Sequence, residues 1–319
     1  MAYYDMDPNP LMSRRRRKKT RYSGLFLVGI AFLAFIVIGL TISITIRACT
    51  HSSGYSVSEV QFSTLFSNSD NTDIKEHESV PETSAPNIMS DEAIRICTPK
   101  PLEGVPEQIL QKSSYITSYN KDTKIPNWVA WNLSENHTDG PYKRMGNFYE
   151  EEYVPQPRAT LEDYRESGWS RGHMCPAGDN KWDERAMYDT FSLVNVCPQN
   201  ANLNSGLWNS IEMDCRNWAR KFGDIYIICG PVFMNREHEV IGVNKVLVPE
   251  AFFKVVLCLN GKPKGIGFIV RNTDGTKKRD LFYNSIDQVE RITGMDFFPS
   301  LPDNIEDVVE ATADINDWN

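Results

Sequence analysis

Two short segments constrain this chain more than any other feature. Residues 170–173 read Ser-Arg-Gly-His, and residues 204–216 read Asn-Ser-Gly-Leu-Trp-Asn-Ser-Ile-Glu-Met-Asp-Cys-Arg. The first segment offers a histidine directly after a glycine. The second has the spacing of a helix that carries an amide, a carboxylate and a guanidinium on successive turns. We expect the polar groups of the two segments to converge on one site.

The helix predicted at 203–222 is amphipathic. Its apolar stripe recurs at the helical period and consists of Leu207, Ile211, Cys215, Trp218 and Phe222. Asn204, Glu212 and Arg216 fall on another face, whose simplest interpretation is a solvated surface. Against that interpretation, Asn204 stands at the expected helix start beside Gly206, where backbone N–H groups favour anions. Glu212 lies about 12 Å further along the axis and leans back toward Asn204.

The oxygen atoms on this face suit a hard divalent cation. Asn204 is the candidate for direct metal ligand, whereas Glu212 lies too far along the helix to share the direct coordination sphere. Mg²⁺ retains several waters and prefers oxygen, so a direct amide and an outer-shell carboxylate fit it better than Zn²⁺. We therefore expect Mg²⁺, with Mn²⁺ as the alternative. The sequence contains no Cys-x-x-Cys pair that would indicate zinc.

His173 is the candidate for a general base. Taken alone, a histidine in this context is more often structural than catalytic. The amide, the carboxylate and the arginines expected around it change that interpretation. A neutral imidazole with a pKa of about 6.5 can deprotonate water at neutral pH, as the hydrolysis of a phosphodiester requires.

The combined pattern resembles a known family. Arg-Gly-His is followed by Asn-x-x-Pro-Gln from Asn195 and by Asn-x-Gly-x-Trp-x-x-x-Glu-x-x-x-Arg from Asn204. This run is similar to that of the DNA/RNA non-specific endonucleases, the ββα-metal or His-Me finger nucleases, over about residues 95–311. The resemblance implies that His173 is the general base, that Asn204 binds the metal directly and that Glu212 is the outer-shell carboxylate.

The resemblance also implies roles for four further residues. Arg216 would neutralise the phosphate in the transition state, and Asn195 would position the substrate or the base. Arg171 lies inside the motif, and Arg144 is a weaker match; a structural salt bridge is the alternative for Arg144 and Arg216. Ser170 departs from the pattern, because the family usually has Asp there. A carboxylate at that position would face the metal's hydration shell, so serine should weaken metal binding without removing the base.

The elements outside the motif indicate an α+β fold with a central antiparallel sheet. Strands are predicted at 128–133, 224–231, 252–259 and 265–270, the last two joined by an Asn260-Gly261 hairpin turn. Helices are predicted at 183–190, 203–222, 285–293 and 304–311. The fold class that follows is a ββα-metal nuclease domain preceded by one transmembrane helix.

The N-terminal region predicts a membrane anchor. The uncharged run 24–46 follows a cluster of Arg and Lys and is long enough to cross roughly 30 Å of hydrocarbon as a helix. A cleaved signal peptide and a lipoprotein site at Cys49 are the alternatives. The expected order is a cytoplasmic basic N-terminus (1–23), a signal anchor (24–46), a disordered tether (47–93), the nuclease domain (94–311) and an acidic tail (312–319). The protein would contact the lipid bilayer through 24–46 and hold its domain outside the cytoplasm, in the periplasm or the extracellular space.

The seven cysteines allow two interpretations. In an oxidising compartment, up to three disulfides could form among Cys97, Cys175, Cys197, Cys215, Cys229 and Cys258. Cys229 and Cys258 lie in apolar strands, however, so small core residues are an equally good interpretation.

The charge distribution limits how a nucleic acid could bind. The net charge is −8, and residues 1–50 hold eight Lys and Arg against two Asp, so the rest of the chain is strongly acidic. The charge therefore argues against a broad basic binding face, but it does not exclude a local cluster of arginines. The predicted function is a Mg²⁺-dependent endonuclease that cleaves DNA, RNA or both without sequence specificity. The alternative is an inactive nuclease-like domain that binds nucleic acid at a surface.

Overall fold

A computed structural model describes residues 89–273 and 282–319. The predicted N-terminus (1–23), signal anchor (24–46) and most of the tether (47–93) lie outside the described residues. Within them the strands, in chain order, are β1 (Gln108–Gln111), β2 (Ile116–Asn120), β3 (Ile125–Leu133), β4 (Ser170–His173), β5 (Val196–Gln199), β6 (Ile225–Val232), β7 (Val240–Ile241), β8 (Val246–Leu247), β9 (Ala251–Cys258), β10 (Lys264–Arg271) and β11 (Tyr283–Asn284).

The described helices are α1 (Asp91–Cys97), α2 (Leu161–Tyr164), α3 (Glu184–Asp189), α4 (Ala201–Leu203), α5 (Asn209–Phe222), α6 (Ile286–Thr293) and α7 (Asp303–Ala311). A π-helical turn, Asn204–Trp208, joins α4 to α5. Short 3-10 turns lie between other elements. The predicted helices 183–190, 285–293 and 304–311 correspond to α3, α6 and α7.

A seven-stranded antiparallel sheet in the order β1-β2-β3-β6-β9-β10-β11 forms the centre of the domain. The predicted strands correspond to β3, β6, β9 and β10, and Gly261 adopts a φ of 71° in the turn between the last two. This arrangement confirms the α+β class with a central antiparallel sheet. Strands β4 and β5 form a separate antiparallel ribbon, and α4 follows β5 directly.

The two faces of the sheet bury different clusters, because successive side chains of a strand point to opposite sides. Phe252 and Val256 of β9 pack in one cluster with Trp208 and with Ile211 of α5. Their neighbours Phe253, Val255 and Leu257 pack in a second cluster against α1, α6 and α7. The β4–β5 ribbon and α5 therefore lie on one face of the sheet, and α6 and α7 lie on the other.

Both ends of the folded domain extend beyond the expected boundaries. Helix α1 begins at Asp91, where the Ser90 hydroxyl accepts a hydrogen bond from the Ala93 N–H and caps the helix. Trp318, in the segment expected to be an acidic tail, is 1 % exposed and packs on Trp218 with 4.6 Å between ring centroids. Burial of so large an aromatic side chain holds the C-terminus against α5.

The helix expected to run without interruption from 203 to 222 differs at its start. Asn200 caps it, since its Oδ1 accepts hydrogen bonds from the N–H groups of Asn202 and Leu203, so Asn204 is not at the helix start. The π-helical turn then interrupts the helix, with Gly206 at φ −104° and ψ −105°. Glycine reaches this backbone conformation at little cost because it lacks Cβ. The turn changes which side chains α4 and α5 present to the ribbon.

The six cysteines of the described ranges are all buried free thiols. The interpretation as small core residues therefore holds for them, and the disulfide interpretation does not.

Candidate active site

A cavity of about 420 Å³ opens between the β4–β5 ribbon and the start of α5. Its lining includes five of the residues predicted from the sequence, which are Arg144, His173, Asn204, Glu212 and Arg216. Residues from three separate parts of the chain thus meet at one polar depression. Arg171 and Asn195, also predicted, lie beside the cavity rather than in its wall.

The β4–β5 ribbon places His173 at the inner end of β4, in register with Val196. The imidazole packs between Phe148 and Phe191, with 5.0 Å from its centroid to each phenyl centroid. It is 5 % exposed, and Nε2 has no hydrogen-bond partner within the described ranges. A buried, unpaired ring nitrogen beside a polar cavity is available to accept a proton from a bound group.

The surroundings of His173 favour the neutral imidazole. The pKa of His173 is lowered to about 3, chiefly by burial, and the guanidinium groups of Arg144 and Arg171 act in the same direction. The ring is therefore neutral at physiological pH, and one of its two nitrogens is a hydrogen-bond acceptor.

Asn195 fixes the backbone directly after His173. Its side-chain Oδ1 accepts from the Cys175 N–H at 2.8 Å, and its Nδ2 donates to the carbonyls of Cys175 and Thr190 at 2.8 Å each. Asn195 is fully buried. Its amide is therefore occupied by the protein itself, and it fixes the segment that follows His173.

Asn204 and Glu212 supply oxygen atoms to the cavity from the π-helical turn and from α5. The pKa of the half-buried Glu212 carboxyl is raised to about 7, chiefly by burial, and Asp179 acts in the same direction. Lys254, Arg216 and Arg144 act in the opposite direction. A nearby cation stabilises the ionised form of such a buried carboxyl more than it would stabilise a carboxylate in water.

Arg216 is held in place by Asp179, a residue that the sequence reasoning missed. The Arg216 Nη1 donates to Asp179 Oδ1 at 2.8 Å, and Asp179 Oδ2 accepts from Trp131 Nε1 at 3.1 Å. Gly178 leaves room for the guanidinium, because a Cβ there would collide with it. The salt-bridge alternative for Arg216 is thus correct in part, yet the guanidinium still lines the cavity.

Arg144 and Arg171 lie over the aromatic wall around His173. The Arg171 guanidinium carbon is 4.6 Å from the Phe148 centroid, and that of Arg144 is 5.8 Å from the Phe191 centroid. Both arginines are exposed. Cation–π contact orients these two guanidinium groups while leaving their N–H donors free for an anion.

Lys254 is a second residue that the sequence reasoning missed. It is fully buried on β9, and its ammonium lies 4.8 Å from the ring centroids of both Trp131 and Trp208. Burial lowers the pKa of Lys254, but the neighbouring Cys229, Cys215, Glu212 and Asp179 together raise it above the usual lysine value. One feature of the sequence could have identified Lys254, because it is the single charged residue in the otherwise apolar run 252–258.

The donor set of the cavity suits the expected cation. Asn204 and Glu212 contribute oxygen, and among the residues that the structure describes, the cavity wall contains neither a thiol nor a second imidazole. Oxygen ligands favour Mg²⁺ or Mn²⁺ over Zn²⁺.

The sequence profile described as DNA/RNA non-specific endonuclease matches residues 95–304. The chain belongs to the DNA/RNA non-specific endonuclease family. The match covers nearly the whole described domain and includes both motif segments.

Individual family members are similar over the same region. Nuclease EXOG, mitochondrial, of Danio rerio is 37% identical over 218 residues, which cover 62% of this chain and 64% of that protein. Endonuclease G, mitochondrial, of Bos taurus is 33% identical over 61% of this chain and 70% of that protein. In the crystal structure of an EndoG/EndoGI complex, one chain superposes with a TM-score of 0.60 at 26% identity, over 63% of this chain and 91% of that chain. The present chain spans less than two thirds of the EXOG protein's length.

The predicted location is contradicted by these relatives. EXOG and endonuclease G are named as mitochondrial nucleases, and this finding gives no support to a single-pass protein with an extracytoplasmic domain. The predicted span 24–46, and with it the expected bilayer contact, lies outside the described residues. Among the described residues, no helix combines the length and the apolar composition that crossing a membrane requires.

Ser170 is the first residue of β4, and its side chain points away from the strand face that carries His173. In β4 the side chains of Arg171 and His173 share one face, so Ser170 lies on the opposite face with Gly172. That face packs on Gln199, because a Cβ at Gly172 would collide with the Gln199 side chain. Ser170 is also absent from the cavity lining. This arrangement gives no support to the expectation that Ser170 faces the metal's hydration shell, which stays a prediction.

Proposed function

We propose that the chain is a metal-dependent endonuclease that hydrolyses phosphodiester bonds in DNA, RNA or both without sequence specificity. The observation that carries the proposal is the buried, neutral imidazole of His173, with Nε2 unpaired, in a cavity shared with the oxygen atoms of Asn204 and Glu212 and the guanidinium of Arg216. Family membership and the nuclease names of the relatives support the same reaction class.

His173 accepts the proton of the attacking water in this proposal. The hydroxyl oxygen then adds to phosphorus, and the bond from phosphorus to the leaving oxygen breaks. The aromatic walls of Phe148 and Phe191 exclude bulk water from the ring, and Asn195 fixes the loop that follows it. General-base assistance of this kind contributes about 10²–10⁴ in rate.

Asn204 and Glu212 are the residues that would hold the metal, Asn204 directly and Glu212 in the outer shell. When bound, Mg²⁺ or Mn²⁺ supplies Lewis-acid stabilisation of the phosphate and of the leaving oxygen. Arg216, fixed by Asp179, binds a phosphate oxygen where negative charge develops. Arg144 and Arg171 bind the flanking phosphates.

The charge of the chain supports cleavage without sequence specificity. The charged candidate contacts are Arg144 and Arg216 in the cavity wall and Arg171 beside it, and their planar donors match phosphate oxygens, which carry no base sequence. With a net charge of −8, the chain should bind nucleic acid weakly and with strong salt dependence.

An inactive nucleic-acid-binding domain is the second candidate. A binding domain needs the arginines but has no need of an unpaired buried imidazole or of oxygen ligands. Burying polar groups without partners costs free energy, which favours a catalytic role for them.

Digestion of plasmid DNA and of single-stranded RNA, each with Mg²⁺ and with EDTA, tests the proposal. We expect cleavage of at least one substrate with Mg²⁺ and none with EDTA. The His173→Asn variant tests the role of the imidazole, because asparagine keeps a polar side chain at the buried position but cannot act as the base. Equal cleavage by the folded His173→Asn protein, or equal cleavage in EDTA, would contradict the mechanism.

A further inference from the structure

Three carboxylates converge between α6 and α7, on the face of the sheet opposite the candidate active site. Asp287 and Glu290 lie on α6, and Glu310 lies on α7. One oxygen from each lies within 4.8 Å of the others. Both helices pack in the apolar cluster that excludes α5, so this group is separate from the cavity around His173.

Glu310 distinguishes this group from an ordinary acidic surface. It is only 7 % exposed, and its Oε1 is buried without a hydrogen-bond partner in the part of the chain that the structure describes. Glu306 and Asp296 add further negative charge close to Glu310. A buried carboxylate oxygen is costly unless a cation or a proton compensates it.

We propose that Asp287, Glu290 and Glu310 bind one hard divalent cation, with Ca²⁺ as the preferred ion. Ca²⁺ binds oxygens at about 2.3–2.6 Å, so two ligands on opposite sides of the ion lie up to about 5 Å apart. Three oxygens within 4.8 Å of one another lie no more than about 2.8 Å from a common centre, so side-chain rotations of a few tenths of an ångström bring all three within Ca²⁺ distance. The coordination sphere of Mg²⁺ is narrower and demands stricter octahedral geometry.

A cation at this position would join α7 to α6. Helix α7 contributes Val309 to the apolar cluster, and the carboxylate of Glu310 is next to it in the chain. Binding to the folded protein alone stabilises it by mass action. The site thus serves stability of the C-terminal part of the domain, and its existence does not depend on the proposed nuclease activity.

The test measures Ca²⁺ binding by titration calorimetry and thermal unfolding with and without Ca²⁺, on the full chain. The Asn204→Ala variant removes Ca²⁺ binding at the candidate active site, and we expect it to retain one bound Ca²⁺ and a Ca²⁺-dependent rise in Tm. Glu310→Gln in the same background should lose both. Asp307→Asn, which removes an equal charge from an exposed position on α7, should retain both.

Asp287→Asn provides the second variant if Glu310→Gln does not fold, and it should also lose the Ca²⁺-dependent rise. The proposal is overturned if the Asn204→Ala protein binds no Ca²⁺, or if Glu310→Gln or Asp287→Asn keeps the full rise in Tm. The proposal is also overturned if Ca²⁺ does not change the Tm of the wild type and Glu310→Gln raises the Tm at neutral pH. That result would show that a proton, rather than a cation, compensates the Glu310 carboxylate.

Discussion

The guanidinium of Arg216 donates a 2.8 Å hydrogen bond to the carboxylate of Asp179, whose side chain is 1% exposed. Asp179 holds the Arg216 side chain in one position, and the guanidinium lines the cavity. Burial alone would favour the neutral carboxyl of Asp179, and Arg216 is the largest influence in the opposite direction. The pair therefore couples the stability of this region to the placement of the guanidinium that we propose binds phosphate.

We expect Arg216→Ala to lower kcat by about 10²–10³, the usual effect of losing one preorganised donor to a developing anion. It should also lower the free energy of unfolding by about 3 kcal/mol, because the buried Asp179 loses its partner. Asp179→Asn should reduce kcat less, since the guanidinium remains. Steady-state kinetics and urea denaturation measure the two effects. A variant with normal kcat but reduced stability would restrict Arg216 to a structural salt bridge.

His173→Ala should reduce the cleavage rate by about 10²–10⁴. The ring packs between Phe148 and Phe191, so alanine leaves a cavity and some loss of Tm is expected as well. Activity is therefore compared with that of His173→Asn, at a temperature where both variants are folded by circular dichroism. Near-wild-type cleavage by either folded variant would end the assignment of His173 as the base.

Asn204→Ala and EDTA should each abolish cleavage, because Asn204 is the proposed direct metal ligand. Glu212→Gln should instead raise the Mg²⁺ concentration needed for half-maximal rate, since it preserves shape and removes one negative charge near the ion. Mg²⁺ titrations of the three proteins measure these differences. The one-metal mechanism is wrong if EDTA leaves cleavage unchanged.

The pH dependence should follow Glu212 rather than His173. The pKa of Glu212 is raised to about 7, so its ionised fraction rises as pH increases through that value, whereas His173, with a pKa lowered to about 3, stays neutral. We expect kcat/KM to fall below neutral pH at low Mg²⁺. Higher Mg²⁺ should move this limb to lower pH, because the cation and the proton compete for the carboxylate. If the pH at which kcat/KM falls does not change with Mg²⁺ concentration, the titrating group lies away from the metal.

Local patterns predicted the parts of this protein that depend on neighbouring residues. The apolar runs of β6 and β9, the Asn260-Gly261 turn and the stripe on α5 all have their own sequence signal. The motif segments also identified most of the cavity lining. Local agreement of this kind is expected wherever propensity and tertiary fold favour the same conformation.

The features that were missed depend on contacts between distant parts of the chain. Asp179 meets Arg216 across 37 positions, and Lys254 gains its two tryptophan contacts only when β9 packs behind the cavity. Trp318 falls in the segment predicted as an acidic tail (312–319), because the acidic residues there dominate the local composition. The π-helical turn at Gly206 interrupts a helical pattern that has no local sign of a break other than the glycine.

Ser170→Asp tests the geometry of β4 directly. Motif comparison alone suggested that aspartate there would strengthen metal binding, because an ionised acceptor makes a hydrogen bond roughly twice as strong as a neutral one. The strand alternation instead directs residue 170 away from His173, toward the Gln199 side of the ribbon. We therefore expect the Ser170→Asp protein to need the same Mg²⁺ concentration for half-maximal rate as the wild type.

The matched control is Glu212→Gln, which should shift the Mg²⁺ titration under the same conditions. Because Ser170 is only partly buried, the added charge can reach water and the variant should fold. A lower Mg²⁺ requirement in Ser170→Asp would mean that the residue 170 side chain reaches the metal's hydration shell. In that case the β4–β5 ribbon must rearrange when metal and substrate bind.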